Sequence, residues 1–166
     1  MLIIEDGTGV PGAESYATVA ELVIYAGKFG VAIPSDEAAQ EAVLRRAALV
    51  MDGMTWKGRK STGDQALSWP RREIRLDGEN KPERYLPARI QYGQMALAAE
   101  IHADDIDPID RRKGAVTKEK VDGAVEREYA TISNTSKRLL PAAPDRPSAT
   151  QFADYLQNRG LFAVRA

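Results

Sequence analysis

Apolar positions recur at helical spacing in three separate stretches of this chain. In the first, Val19, Leu22, Val23 and Ala26 mark one face, as a period of 3.6 residues requires. Thr18-Val19-Ala20-Glu21 opens it and fits a capping box, in which the hydroxyl and the carboxylate each satisfy an orphan backbone N–H. Gly27 and Gly30 predict its end near Lys28. In the second stretch, Val43, Ala47, Val50 and Met54 form a stripe flanked by Leu44, Ala48 and Met51. Ser35 is its expected cap, with Asp36 and Glu37 in a first turn where the helix dipole favours anions. In the third, Ile90, Gln94, Leu97 and Ile101 share a face beside Met95, Ala98 and Ala99, and Pro87 suits the first helical position. Asp104, Asp105, Asp107 and Pro108 are expected beyond its last turn, because acids at a helix C-terminus oppose the dipole.

Elsewhere the pattern changes. From Thr55 to Leu86 no period survives, and Gly58, Gly63, Pro70, Gly78 and Pro82 punctuate the segment. A stretch of about 30 residues without regular structure is commonly functional. Within it, Asp77-Gly78 is a tight-turn signal. Residues 116–121 and 124–129 alternate on either side of Asp122-Gly123, which predicts a β-hairpin over about residues 115–129. An isolated ribbon is marginal in water, so it should lie on the helices or pair with another copy. Three prolines in residues 130–147 read as a linker. A short helix is expected from Ser148 or Thr150, with Phe152, Tyr155 and Leu156 facing inward. Leu161-Phe162-Ala163-Val164-Arg165-Ala166 follows as an apolar tail.

The expected fold is therefore mainly α: a small bundle of three to four helices with a long basic loop, a β-hairpin and extended termini. Residues 1–14, with Gly7, Gly9, Pro11 and Gly12, read as a flexible arm. Residues 15–140 form the helical domain, and 141–166 hold linker, short helix and C-terminal docking tail.

Composition narrows the function more than the fold. A chain of 166 residues with 43% hydrophobic content suits one domain with a modest core. A net charge of −1 argues against a general nucleic-acid binder. There is no cysteine, which excludes disulfides and thiolate metal sites, and one histidine, His102, which excludes a multi-histidine site. No apolar run approaches the ~18 residues of a membrane span. The first residues lack both a basic segment and a long apolar run, so a soluble protein made in a cytoplasm is expected.

No nucleophile sits beside a base. His102 has Glu100, Asp104 and Asp105 nearby in sequence, but positions two apart on a helix do not face each other. A surface or helix-end histidine is the better reading. Asp104, Asp105, Asp107 and Asp110 lack the glycine and distal glutamate of a calcium loop, so a solvated acidic loop is expected. The expectation is a protein that is not an enzyme and has no cofactor and no metal.

Charge is concentrated instead. Between Trp56 and Arg75, Lys57, Arg59, Lys60, Arg71, Arg72 and Arg75 face only Asp64 and Glu73: six cations against two acids, with both tryptophans, Trp56 and Trp69. Three readings fit. The indoles are core anchors that pin the loop to the helices, since tryptophans are usually largely buried. Or the cations Lys57, Arg59, Lys60, Arg71 and Arg72 meet an acidic protein surface across a subunit contact. Or the cations track a phosphate backbone while the rings stack on bases. Four charges in excess give weak, salt-sensitive DNA binding, which favours the protein contact unless many copies are arrayed.

The order of motifs carries a resemblance. Ser15-Tyr16-Ala17-Thr18-Val19-Ala20-Glu21 is followed by Trp56-Lys57-Gly58-Arg59 and Gln65-Ala66-Leu67-Ser68-Trp69-Pro70-Arg71. Leu86-Pro87 then opens an alanine-rich helix, and the hairpin around Gly123 comes last. Over roughly residues 15–165 this resembles the head–tail connector (adaptor) proteins of tailed bacteriophages, some of which carry a DnaT-like single-stranded-DNA-binding label. The charged insert Arg75-Leu76-Asp77-Gly78-Glu79-Asn80-Lys81 departs from the family pattern. The resemblance implies a structural ring, usually of twelve copies, in the virion neck, assembled in the bacterial host cytoplasm. Its implied partners are sister copies, the portal protein, a stopper or tail protein and the packaged double-stranded DNA in the channel, with no membrane. Leu161, Phe162, Val164 and Arg165 would belong to the segment that docks on the portal. The alternative is a single-stranded-DNA-binding accessory protein of phage replication.

Overall fold

The computed structural model describes residues 1–106, 116–121, 125–129 and 146–157. The three periodic stretches form α1 (Val19–Phe29), α2 (Glu37–Asp52) and α3 (Ala88–Ile106). Two short ribbons interrupt them: β1 (Arg59–Lys60) pairs with β2 (Arg71–Arg72), and β3 (Arg75–Leu76) with β4 (Glu79–Asn80). The antiparallel hairpin expected from Asp122-Gly123 is present as β5 (Val116–Val121) and β6 (Val125–Tyr129). A short α4 (Pro147–Phe152) closes the described chain. The architecture is mainly α, with small two-stranded sheets.

The first two helices begin for local reasons. Thr18 Oγ1 accepts from the Glu21 N–H at 3.2 Å while the Glu21 carboxylate accepts from the Thr18 N–H at 2.7 Å, completing the capping box. Gly30, at φ 64°, ends α1 in the left-handed conformation that glycine adopts without a Cβ clash. For α2 the cap is Asp36 rather than Ser35: its carboxylate accepts from the Ala39 N–H at 3.0 Å. α3 runs further than its acids suggest, because Asp104 and Asp105 lie inside its last turn. Arg146 reaches Asp104 at 3.0 Å and Arg46 reaches Asp105 at 3.0 Å, so arginines from two other elements offset the unfavourable dipole.

The buried faces are turned slightly from the predicted stripes. On α1 the buried residues are Leu22, Tyr25 and Ala26, while Val23 is exposed. On α2 they include Val43, Leu44, Ala47, Ala48 and Met51, while Val50 is exposed. These helices carry more apolar residues than one core face can cover, so periodicity alone leaves the rotation open. α3 is the central element, buried continuously from Gly93 to Ala99. It packs against α2 on one side and α4 on another. A Cβ added at Gly93 would lie 2.1 Å from the Phe152 ring, so this glycine is what lets α4 approach.

Gln94 is fully buried on α3 and ties three segments. Its Oε1 accepts from the Tyr16 N–H at 2.8 Å; its Nε2 donates to Ser15 Oγ at 2.9 Å and to the Leu44 carbonyl at 3.0 Å. This is the structural meaning of Ser15-Tyr16: the chain entering α1 is held by a polar clasp inside an apolar core.

The N-terminal segment is not the flexible arm expected. Glu5 is fully buried, and its carboxylate accepts backbone N–H bonds from Gly7 and Gly9 at 2.8 Å and from Val10 at 2.7 Å. The Glu5 N–H also donates to the Ser15 carbonyl at 2.8 Å. A buried carboxylate with three N–H partners holds the glycine-rich turn against the body, which glycine content alone does not reveal. α4 likewise belongs to the body: Phe152 and Tyr155 are buried in the main core, and Leu156 is half-buried beside them. The docking segment with Leu161, Phe162, Val164 and Arg165 lies outside the described residues.

Replacing Gln94 by Leu removes the clasp and leaves the buried Tyr16 N–H without its partner, while the Ser15 hydroxyl keeps its 2.6 Å bond to the Ala17 carbonyl. The expected loss is about 2–4 kcal/mol of stability, read from the urea midpoint. Gln91→Leu, which loses one half-buried bond to the Tyr16 carbonyl, should cost under ~1.5 kcal/mol.

Candidate nucleic-acid interface

The basic tryptophan loop spans the two short ribbons between α2 and α3. Its indoles face inward: Trp69 is 0% exposed and Trp56 4%. They meet edge to face, with ring centroids 5.7 Å apart and planes at 78°. Phe152 packs on Trp56 at 5.2 Å, and Tyr155 on Trp69 at 5.6 Å, both close to perpendicular. This is the geometry that aromatic quadrupoles prefer. The rings are therefore core anchors, and stacking on bases is corrected: no face of Trp56 or Trp69 is open to a base.

The specific motif Gln65–Arg71 turns out to be internal bracing. The Gln65 Nε2 donates to the carbonyls of Leu67 at 2.9 Å and Pro70 at 3.0 Å, and its Oε1 accepts from the Thr62 N–H at 2.9 Å. The Ser68 N–H donates to Asp52 at 2.7 Å, and the Trp69 N–H to the Tyr16 hydroxyl at 3.0 Å. Arg71 fans its guanidinium over three carbonyls: Lys57 at 2.7 Å, Gly58 at 2.7 Å and Ser68 at 3.0 Å. Burial pulls its pKa below the usual arginine value. Arg71 is thus committed to the loop and has little left to offer a partner. A Cβ at Gly58 would stand 2.3 Å from the Arg72 carbonyl, which fixes why glycine sits at that turn.

Lys57 is partly committed too. Its Nζ donates to the Asp154 carbonyl at 2.7 Å, and its backbone N–H to the Tyr155 carbonyl at 2.9 Å. The remaining cations of the loop face solvent. Arg59, Lys60 and Arg72 are exposed on the β1–β2 ribbon, where Arg59 stands opposite Arg72 and Lys60 opposite Arg71. Like charges directly across a strand pair repel. Arg59 meets Glu73 at 3.2 Å, but both side chains are more than half exposed, so the pair is worth little. Lys60 reaches the Ala66 carbonyl at 3.4 Å, and Arg72 has no partner among the described residues. The ribbon is consequently a short cationic edge on a rigid mount.

Sequence reasoning missed the tyrosines. Tyr16 is fully buried and its hydroxyl holds the loop through Trp69; burial pushes its pKa up. Tyr85 packs on Trp69 at 6.5 Å and bridges Arg71 through paired backbone bonds of 3.0 and 3.1 Å. The sequence carried a signal for Tyr16 only, in the motif Ser15-Tyr16. His102 is half-buried on α3, away from any nucleophile motif. Among the described residues no cluster of histidine, aspartate or glutamate could hold a metal ion, and no helix is long and apolar enough to cross a membrane.

A family model described as "Putative DnaT-like ssDNA binding protein" matches residues 1–165. No curated protein and no solved structure matches the chain. The match speaks for the single-stranded-DNA expectation and gives no support to the head–tail connector.

The two indoles differ in one testable respect. Trp56 Nε1 donates to the Met51 carbonyl at 2.8 Å, whereas Trp69 Nε1 is buried without a partner among the described residues. Both lose similar area on replacement by Phe. Trp56→Phe should therefore destabilise the fold by about 1 kcal/mol more than Trp69→Phe in chemical denaturation; the reverse order would contradict this assignment.

Proposed function

We propose that this chain, which belongs to the family described as "Putative DnaT-like ssDNA binding protein", binds the phosphate backbone of single-stranded DNA through the cations of its β1–β2 ribbon. It does so without catalysis and without inserting a ring between bases. The observation that carries the reading is the division within the loop: Arg59, Lys60 and Arg72 are exposed together, while Trp56, Trp69 and Arg71 are used up inside. Backbone contact by point charges is indifferent to base sequence. About three phosphate contacts per copy predict a slope of roughly −2 in log affinity against log salt. Such weak contact becomes useful when several copies share one strand, since avidity multiplies it.

A second reading keeps the head–tail adaptor: a ring of about a dozen copies in a phage neck, touching portal, stopper or tail protein and passing double-stranded DNA. One observation favours it. α1 exposes Val23, Ile24 and Phe29, and α2 exposes Leu49 and Val50, which is apolar surface that assembly could cover. In this reading the cationic ribbon faces the channel or an acidic neighbour, and Leu161, Phe162, Val164 and Arg165 dock on the portal.

Anisotropy titration of a labelled oligonucleotide at 50 and 200 mM salt separates the two. The strand-binding reading predicts roughly fifteen- to twentyfold weaker binding at the higher salt. It also predicts that the combined Arg59→Ala, Lys60→Ala and Arg72→Ala variant binds at least tenfold more weakly, with a flatter slope. Equal binding by wild type and variant, or none at 50 mM, would remove it. A ring mass in sedimentation without strand affinity would point to the adaptor.

A further inference from the structure

A cavity of about 320 Å³ opens beside the β3–β4 ribbon, with Tyr155 of the aromatic cluster in its wall. Four cations line it: Lys57, Arg75, Lys81 and Arg89. Two carboxylates of the lining, Asp77 and Asp154, answer them, and Glu79 stands beside Lys81, so four cations meet three acids. Arg89 pairs with Asp154 at 2.7 Å, and Lys81 with Glu79 at 3.1 Å. Lys57 and Arg75 hydrogen-bond only neutral carbonyls, of Asp154 at 2.7 Å and Gly78 at 3.1 Å. Lys57 and Arg75 thus line one concavity without a salt bridge, with Asp77 the nearby carboxylate.

The remaining wall suits an oxyanion as well. Tyr85 and Tyr155 line it. Burial and a hydrogen bond with the Tyr85 hydroxyl push the Tyr155 hydroxyl up to about 12; within that pair one O–H donates to the other, which leaves one for a ligand. Arg89 lies in the first turn of α3, where a cation opposes the helix dipole and an anion would be welcome. The volume is in the range of small-ligand sites.

We propose that this cavity is a phosphomonoester site, holding a dianionic phosphate between Lys57 and Arg75 with one tyrosine hydroxyl as a further donor. A dianion gains more from two cations that carry no salt bridge, Lys57 and Arg75, than a singly charged backbone phosphodiester does. The phosphate can belong to the end of a DNA strand or to a free mononucleotide. The strand source rests on the proposed DNA-binding function, while the pocket itself does not.

Calorimetry with the full chain distinguishes them. The probes are thymidine 5′-monophosphate, thymidine, and one oligonucleotide with either a 5′-phosphate or a 5′-hydroxyl end. Thymidine 5′-monophosphate should bind and thymidine should not. The phosphorylated strand should bind about five- to tenfold more tightly than its hydroxyl twin. Arg75→Met, which removes one cation from an exposed turn, should cut that advantage below twofold; Lys57→Met is the second variant. Monophosphate binding without a strand-end advantage assigns the site to free nucleotides. Monophosphate binding with no strand affinity upholds the pocket and removes the DNA-binding function. No heat with the monophosphate and no difference between the strand ends would overturn the pocket, whatever the ribbon does.

Discussion

The perpendicular contact between Trp56 and Trp69 is the constraint on which the rest of this molecule depends. Trp56 ends the turn after α2 and Trp69 stands thirteen residues later, so their contact closes the loop that lies between. Phe152 and Tyr155 complete the cluster from the other end of the chain. Two large rings removed from water stabilise the loop by several kcal/mol. That is enough to hold a segment with only two-residue strands in one conformation.

Once the rings are inside, the charges divide by role. Arg71 and Gln65 are consumed in satisfying loop carbonyls that would otherwise be buried or strained. Arg59, Lys60 and Arg72 remain outside, set on a ribbon whose position the indoles dictate. Lys57 and Arg75 line the cavity beside the β3–β4 ribbon. One basic window in sequence thus becomes three things in space: a brace, an edge and a pocket. A preorganised cation costs less entropy to use than a mobile one, which is the advantage of so rigid a mount.

Much of the architecture was legible in the chain. The Thr18–Glu21 capping box, the Asp77-Gly78 turn and the hairpin around Gly123 are local chemistry, and local chemistry reads directly. Asp77 and Gly78 both take positive φ, as a two-residue hairpin turn demands. Helix rotation was less legible, since Val23 and Val50 are as apolar as their buried neighbours and only tertiary packing decides which is covered. The buried Glu5 and the extension of α3 through Asp105 were hidden for another reason. Each is an acid whose partner is distant in sequence or is backbone, and residue type alone predicts exposure. The candidate site was half legible. The cation cluster was visible, but the roles within it were not: Arg71 and Arg72 are adjacent and chemically identical, yet one faces carbonyls and the other solvent.

The central claim is that strand contact and ring burial coexist, with the indoles untouched when DNA binds. Acrylamide quenching of tryptophan emission, with and without saturating oligonucleotide, tests it most directly. Blue-shifted emission with a low quenching constant, the same in both states, is the predicted result. Emission that is readily quenched in the free protein and becomes protected when the strand is added would mean that the rings leave the core to stack on bases, and the account would be wrong.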